Sequence, residues 1–176
     1  EALDNSSTDK VHIVAHSMGG LVARSYLEYS FGPKVSKFIM LGTPNYGSGD
    51  IYVLQEAGEK PDSYSTALQN IIDFYLWYLR IVDDEITDDF LSVQQHIQSA
   101  KELMPIYDYL KDSTTQEIIP YSTHSENEGT LSRNIFLEQL NETDNIQQMV
   151  DQTDEIHIIA GTNQETLHTI PVTPDD

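Results

Sequence analysis

VHIVAHSMGGLVARSYL, residues 11–27, runs from β-branched residues through one serine and two glycines into a helix-forming sequence. Lys10 to Ala15 predicts a buried strand, because Val11, Ile13 and Val14 recur without a sheet breaker. Gly19 to about Tyr29 predicts a helix, with Leu21, Val22, Tyr26 and Tyr29 near helical spacing. FGP at 31–33 ends it: Gly32 suits the terminator position and Pro33 cannot continue a helix. VSKFIML, residues 35–41, predicts a second buried strand, and GTPNYGSG after it is a loop of turn residues. Strand, helix and strand in some thirty residues is one βαβ unit, which implies parallel strands and the α/β class. Parallel sheets are usually covered on both faces, which would account for strands that are apolar almost throughout.

The corner AHSMG, residues 15–19, lies between the predicted strand and the predicted helix. That is the setting of the G-x-S-x-G nucleophile elbow, whose serine sits on a sharp, strained turn. Positions two before and two after the serine are expected to be small, to avoid collision; here they are Ala15 and Gly19, with Gly20 adding room. Ser17 is therefore the candidate nucleophile. The backbone N–H of Met18, at the helix start, is the candidate oxyanion donor. A chance serine in a glycine-rich turn is the bland alternative. A phosphate-binding turn fits less well, because the P-loop lysine and the G-x-G-x-x-G spacing are missing.

Composition narrows the partners. The 176 residues hold 29 acidic and 9 basic side chains, a net charge of −20. Such a charge argues against nucleic acid and anionic membrane surfaces. Residues 51–156 carry 21 of the acidic and 5 of the basic groups, so the excess lies away from Ser17. It reads as a solvated surface. Without cysteine there is no disulfide and no thiolate metal site. No transmembrane-length apolar run and no signal-peptide pattern are present.

Taken together, VHIVAHSMGGLVARSYLEY and FIMLGTPNYGS resemble the lipase branch of the α/β-hydrolase superfamily. That branch includes secreted bacterial lipases and the GPI-inositol deacylase-like and lecithin–cholesterol acyltransferase-like groups. SAKELMPIYDYL, residues 99–110, and NIFLEQLN, residues 134–141, resemble segments of the cap in Gram-positive-type members. Ala15 departs from the glycine most members carry there. The resemblance implies a cofactor-free serine carboxylester hydrolase, a lipase or esterase acting on lipid-like acyl esters through an acyl-enzyme. It also implies an exported parent protein. An acyltransferase or thioesterase of the same fold, or a non-catalytic binding domain, are the alternatives.

The superfamily's chain order is Ser, acid, His. EIHIIAGTN, residues 155–163, suits the strand before the acid, which puts the acid at Asp175 or Asp176 or beyond. None of His12, His16, His96, His124, His157 and His168 suits the base. His12 is expected to pack in the sheet, His16 to be fixed by the elbow, His96 to face solvent and His124 to lie in a polar loop. His168 alone comes late enough, yet it precedes any acid. The chain thus reads as an internal fragment that lacks the complete triad, inactive by itself, with the flanking parts of its parent missing.

The expected layout is a partial α/β-hydrolase core over 1–44 and 155–176, with a mainly helical cap over 45–154. In the cap, 67–82 predicts an apolar helix and 83–103 an acidic-fronted amphipathic one stopped by Pro105. A polar loop to Gly129, a short helix over 133–141 and an extended piece over 166–174 complete the reading. Phe74, Tyr75, Trp77 and Tyr78 are either an acyl-receiving surface or ordinary cap core. DDEITDD, residues 83–89, lacks the pattern of a calcium loop and reads as a helix start. NSS at 5–7 and NET at 141–143 match the glycosylation sequon.

Overall fold

The computed structural model describes residues 7–30, 35–61, 64–82, 88–125, 132–161 and 167–173. The architecture is mixed α/β with a parallel sheet, as the first strand–helix–strand run predicts. The chain divides into two compact units: Glu1–Asn45 with Phe136–Glu165, and Tyr46–Ile135 with Thr166–Asp176.

The first unit is a three-stranded sheet with helices. Strand β1 (Val11–His16) leads into helix α1 (Met18–Tyr29) and then strand β2 (Val35–Leu41). Later segments add α6 (Ile135–Leu140), α7 (Thr143–Asp151) and β5 (Thr153–Ile159). The order is β1-β2-β5, parallel throughout, with Val14 opposite Ile39 and Leu41 opposite Ile159. Leu27 of α1 and Met149 of α7 close on Val35, Phe38 and Met40, joined by Val11, Ile13, Ala15 and Ile156. That core holds one face of the sheet. On β1 the alternate residues His12, Val14 and His16 are exposed, Val14 by 64%. The strand therefore alternates, rather than being buried on both sides, and two sequence expectations fail with it. Val14 is not a core residue, and His12 does not pack in the sheet.

Charge is also buried in this unit. Arg24 and Glu28, one helical turn apart, pair at 2.9 Å with side chains only 4% and 0% exposed. The Arg24 guanidinium also donates to Asn45 Oδ1 at 2.8 Å and to the carbonyl of Leu140. The Asn141 amide donates to the carbonyls of Asn45 and Leu137, each at 2.8 Å. So α1, the loop after β2 and the end of α6 share one polar knot. This use of Asn141 argues against reading NET as an open glycan acceptor; Asn5 of the other sequon lies outside the described residues.

The second unit holds α2 (Asp50–Ala57), α3 (Thr66–Val82), α4 (Asp89–His96) and α5 (Gln98–Glu102). The single helix expected over 83–103 is broken at Ile97, whose ψ of 69° leaves the helical region. A small sheet goes beyond the sequence expectation, which gives only the extended piece over 166–174: β3 (Leu110–Asp112) pairs antiparallel with β4 (Ile118–Ile119) and parallel with β6 (Ile170–Val172). The connecting turn hides from the sequence because it has no glycine. Gln116 takes the left-handed conformation at φ 64°, and the Asp112 carboxylate accepts from the amides of Thr114 and Thr115 at 2.7 and 2.8 Å. Ile51, Leu54, Leu76, Val93, Met104, Tyr109, Leu110 and Ile170 form the core. His124 belongs to this interior, not to an open loop: it is buried, with its ring 4.9 Å from Tyr121 and 5.6 Å from Tyr109.

Breaking the Arg24–Glu28 pair from one side strands a buried carboxylate. Arg24→Met is expected to cost about 3–5 kcal/mol at pH 8 in urea unfolding. Burial already pushes the Glu28 pKa above 4.5, against the pull of Arg24. Without Arg24 it rises further, so the deficit shrinks as pH falls and Glu28 takes up a proton. In the second unit, burial pushes Glu56 from 4.5 to about 7. Its folded-state pKa is the higher one, so its contribution is full below about pH 4.5 and is lost as pH rises through 7. Glu56→Gln should therefore raise stability at pH 8 by about 1–2 kcal/mol, after allowing for partial exposure, and by much less at pH 4.5. Thermal melts at the two pH values check this.

Candidate active site

Strand β1 continues through His16 and α1 begins at Met18, so Ser17 alone makes the turn between them. Its backbone sits at φ 54° and ψ −133°. A non-glycine residue with positive φ and this ψ carries strain of about 1–3 kcal/mol. Two hydrogen bonds hold the bend: Ser17 N–H donates to the Leu41 carbonyl at 2.9 Å, and Gly20 N–H donates to the Ser17 carbonyl at 3.0 Å. The side chain makes no capping bond to its own helix, and the residue is exposed. Ser17 thus combines a kinked backbone with exposure and no capping bond. Met18 opens α1, so its amide belongs to the first turn, where N–H groups have no intrahelical acceptor.

The glycine pair works differently from the sequence expectation. A Cβ at Gly19 would meet nothing within 4 Å. A Cβ at Gly20 would lie 1.9 Å from Thr43 Oγ1 and 2.8 Å from Thr43 Cβ. The close approach is thus between Gly20 at the start of α1 and the threonine of the GTP loop. One motif supplies the gap and the other fills it. Thr43 Oγ1 is buried there without a hydrogen-bond partner. The same loop supplies Asn45, which Arg24 holds. Arg24 and Glu28 escaped the sequence reading because an opposite-charge pair at i and i+4 ordinarily sits on a helix surface. The available signal was its position one turn past the elbow, on the side that also carries Leu21 and Leu27.

The histidines are scattered. His12 and His16 are exposed on β1, and exposed His157 on β5 lies 3.2 Å from Glu155 Oε2. In the second unit, His96 is exposed at the end of α4, His124 is buried, and the His168 ring stands 5.2 Å from that of Tyr107. Burial lowers the His124 pKa. Asp175 and Asp176, the candidate acids, lie outside the described residues, as does most of DDEITDD. Among the described residues no group of three or more His, Asp or Glu side chains could hold a metal ion.

The family model described as palmitoyl protein thioesterase matches residues 1–168. The chain belongs to that family. It is accordingly a member of the α/β-hydrolase superfamily with a partial α/β-hydrolase fold, and an acyl hydrolase of the thioesterase kind. The thioesterase alternative therefore lies closer to the match than the lipase branch does. No curated protein and no solved structure matches the chain.

Replacing Ser17 by glycine removes the strain of a side chain at positive φ. Ser17→Gly should raise stability by about 1 kcal/mol in thermal or urea unfolding. Gly20→Ala should destabilise by about 1–3 kcal/mol, by forcing Thr43 and its loop away. Gly19→Ala should be neutral or stabilising by up to about 1 kcal/mol, because it is helical and unhindered. Equal effects at the two glycines would show that the Gly20–Thr43 approach is not what constrains the corner.

Proposed function

We propose that this thioesterase-family chain cleaves long-chain acyl thioesters through a covalent acyl-enzyme on Ser17. The observation that carries the reading is the strained, exposed serine between β1 and α1, in a chain whose family is named for palmitoyl thioesters. Ser17 Oγ attacks the acyl carbonyl as its proton passes to a general base. The oxygen becomes an oxyanion, toward which Met18 N–H donates. The C–S bond then breaks and the thiol leaves with a proton from the same base. Water next adds to the acyl-enzyme, its proton goes to the base, and the carboxylic acid departs as Ser17 recovers its hydrogen. Strain at Ser17 is useful here because it holds the hydroxyl ready before substrate arrives. One lost oxyanion donor typically raises such a barrier by about 3 kcal/mol.

We place the base and its orienting acid outside the elbow itself. His12 and His16 belong to the strand that feeds the turn, and His157 is paired with Glu155. By itself, then, this segment is proposed to be inactive. A second reading, a lipase-like carboxylester hydrolase, uses the same nucleophile. It is favoured by the GTPNYGS loop, whose threonine packs on Gly20.

The test uses the protein in its full natural length. A fluorophosphonate probe should label it, and Ser17→Ala should abolish both labelling and turnover, with kcat falling by about 10⁵–10⁶. Palmitoyl thioester should be hydrolysed with higher kcat/KM than the matching oxygen ester. The reverse order selects the lipase-like reading. Labelling that survives Ser17→Ala removes Ser17 as nucleophile, and an unlabelled, inactive protein indicates a binding domain.

A further inference from the structure

Helix α3 turns its apolar side outward. At about 100° per residue, Leu79, Ile72 and Leu76 share one stripe, and these are the side chains that meet the core. Next around the helix come Arg80 and Asp73, one charge of each sign; Asp73 also pairs with Lys60 at 2.5 Å. On the other side Trp77, Ile81, Phe74, Tyr78, Ile71, Val82 and Tyr75 share an arc of about 160°, interrupted by the polar Asn70 between Trp77 and Ile81. All seven are exposed, Phe74 by 66%, Ile71 by 65% and Trp77 by 56%. Phe74 and Trp77 pack on each other, with ring centroids 5.6 Å apart. The four aromatics flagged in the sequence are thus a surface and not the core of their unit. An exposed apolar patch of this width ordinarily marks an interaction face.

Charge chooses among the occupants. A second copy of the chain would bring another −20 to the same place, and an anionic bilayer would repel the protein in the same way. The face itself carries no charge, and α3 as a whole is neutral. Trp and Tyr beside Phe and Ile are the side chains that settle at a lipid–water boundary. With 17 residues, α3 is about 25 Å long, suited to lying in that boundary. No described helix is long and apolar enough to cross a membrane.

We propose that the Trp77–Phe74–Ile81 face of α3 seats the protein on a lipid surface of zwitterionic or uncharged headgroups. Where it meets the proposed function, it rests on the acyl-thioester reading: a long acyl chain partitions into that same surface, so docking would bring enzyme and substrate together.

Trp77 is the sole tryptophan, so its emission reports this face directly. The full chain is titrated with phosphatidylcholine vesicles, and with the same vesicles containing phosphatidylglycerol. The expected result is a blue shift, quenching by brominated phosphatidylcholine, and co-flotation, all weaker on the anionic vesicles at low salt. Phe74→Asp with Ile81→Asp should weaken partitioning by about 100-fold, each exposed side chain being worth about tenfold on burial. Circular dichroism checks that this variant folds, and brominated-lipid quenching of the unaltered protein needs no variant. Three results overturn the proposal: no shift on phosphatidylcholine, stronger binding to anionic vesicles, or a shift that grows with protein concentration without lipid. The last would make the face a contact between copies. Ser17→Ala should bind vesicles as the unaltered protein does, so failure of the thioesterase reading and failure of docking are separable. A soluble short-chain thioester would likewise report catalysis without docking.

Discussion

Arg24 lies inside the unit that bears Ser17, and a guanidinium there must find acceptors on several sides. It finds Glu28 within its own helix, Asn45 on the loop after β2, and the Leu140 carbonyl at the end of α6. Two segments distant in sequence are thereby held at α1. An apolar side chain could fill the volume, but it could not require a carboxylate, an amide and a carbonyl in fixed directions. The pair need not add much net stability, since desolvation offsets much of the attraction. What it contributes is placement: α1 is fixed against the loop, where Gly20 meets Thr43.

The corner at Ser17 thus depends on a short series of constraints. The parallel pairing of β1 with β2 puts Leu41 where its carbonyl accepts from Ser17. The helix supplies the return bond from Gly20 to the Ser17 carbonyl. Between these two bonds the serine takes a conformation it would leave in an isolated peptide. Strain kept at one residue is tolerable because the surrounding sheet and helix are cooperative and well packed. The same corner gives the hydroxyl to solvent, so geometry and proposed chemistry have one cause.

The two units treat apolar surface in different ways. In the first, Leu27, Phe38, Met40 and Met149 gather on one side of the sheet. In the second, Leu76, Leu79 and Ile72 of α3 are turned from solvent, while its aromatic arc is exposed. A protein that repels anionic surfaces thus presents on α3 a face where an uncharged, apolar partner meets no electrostatic barrier.

The sequence by itself determined the strand–helix–strand run, the identity of the corner serine and the helical character of α3, because these depend on periodicity and on residues adjacent in the chain. It also marked the two motif loops. Only the tertiary structure decided which glycine is the tight one, since Thr43 lies 23 residues from Gly20 and no spacing rule relates them. It alone showed Arg24 buried, the α3 aromatics exposed and His124 enclosed by tyrosines, because burial depends on what packs opposite. The β3–β4 turn stayed hidden for a related reason: a side-chain carboxylate and a left-handed glutamine do the work that glycine usually signals. Local pattern sets which way a segment can bend; long-range contact decides which side of it meets water.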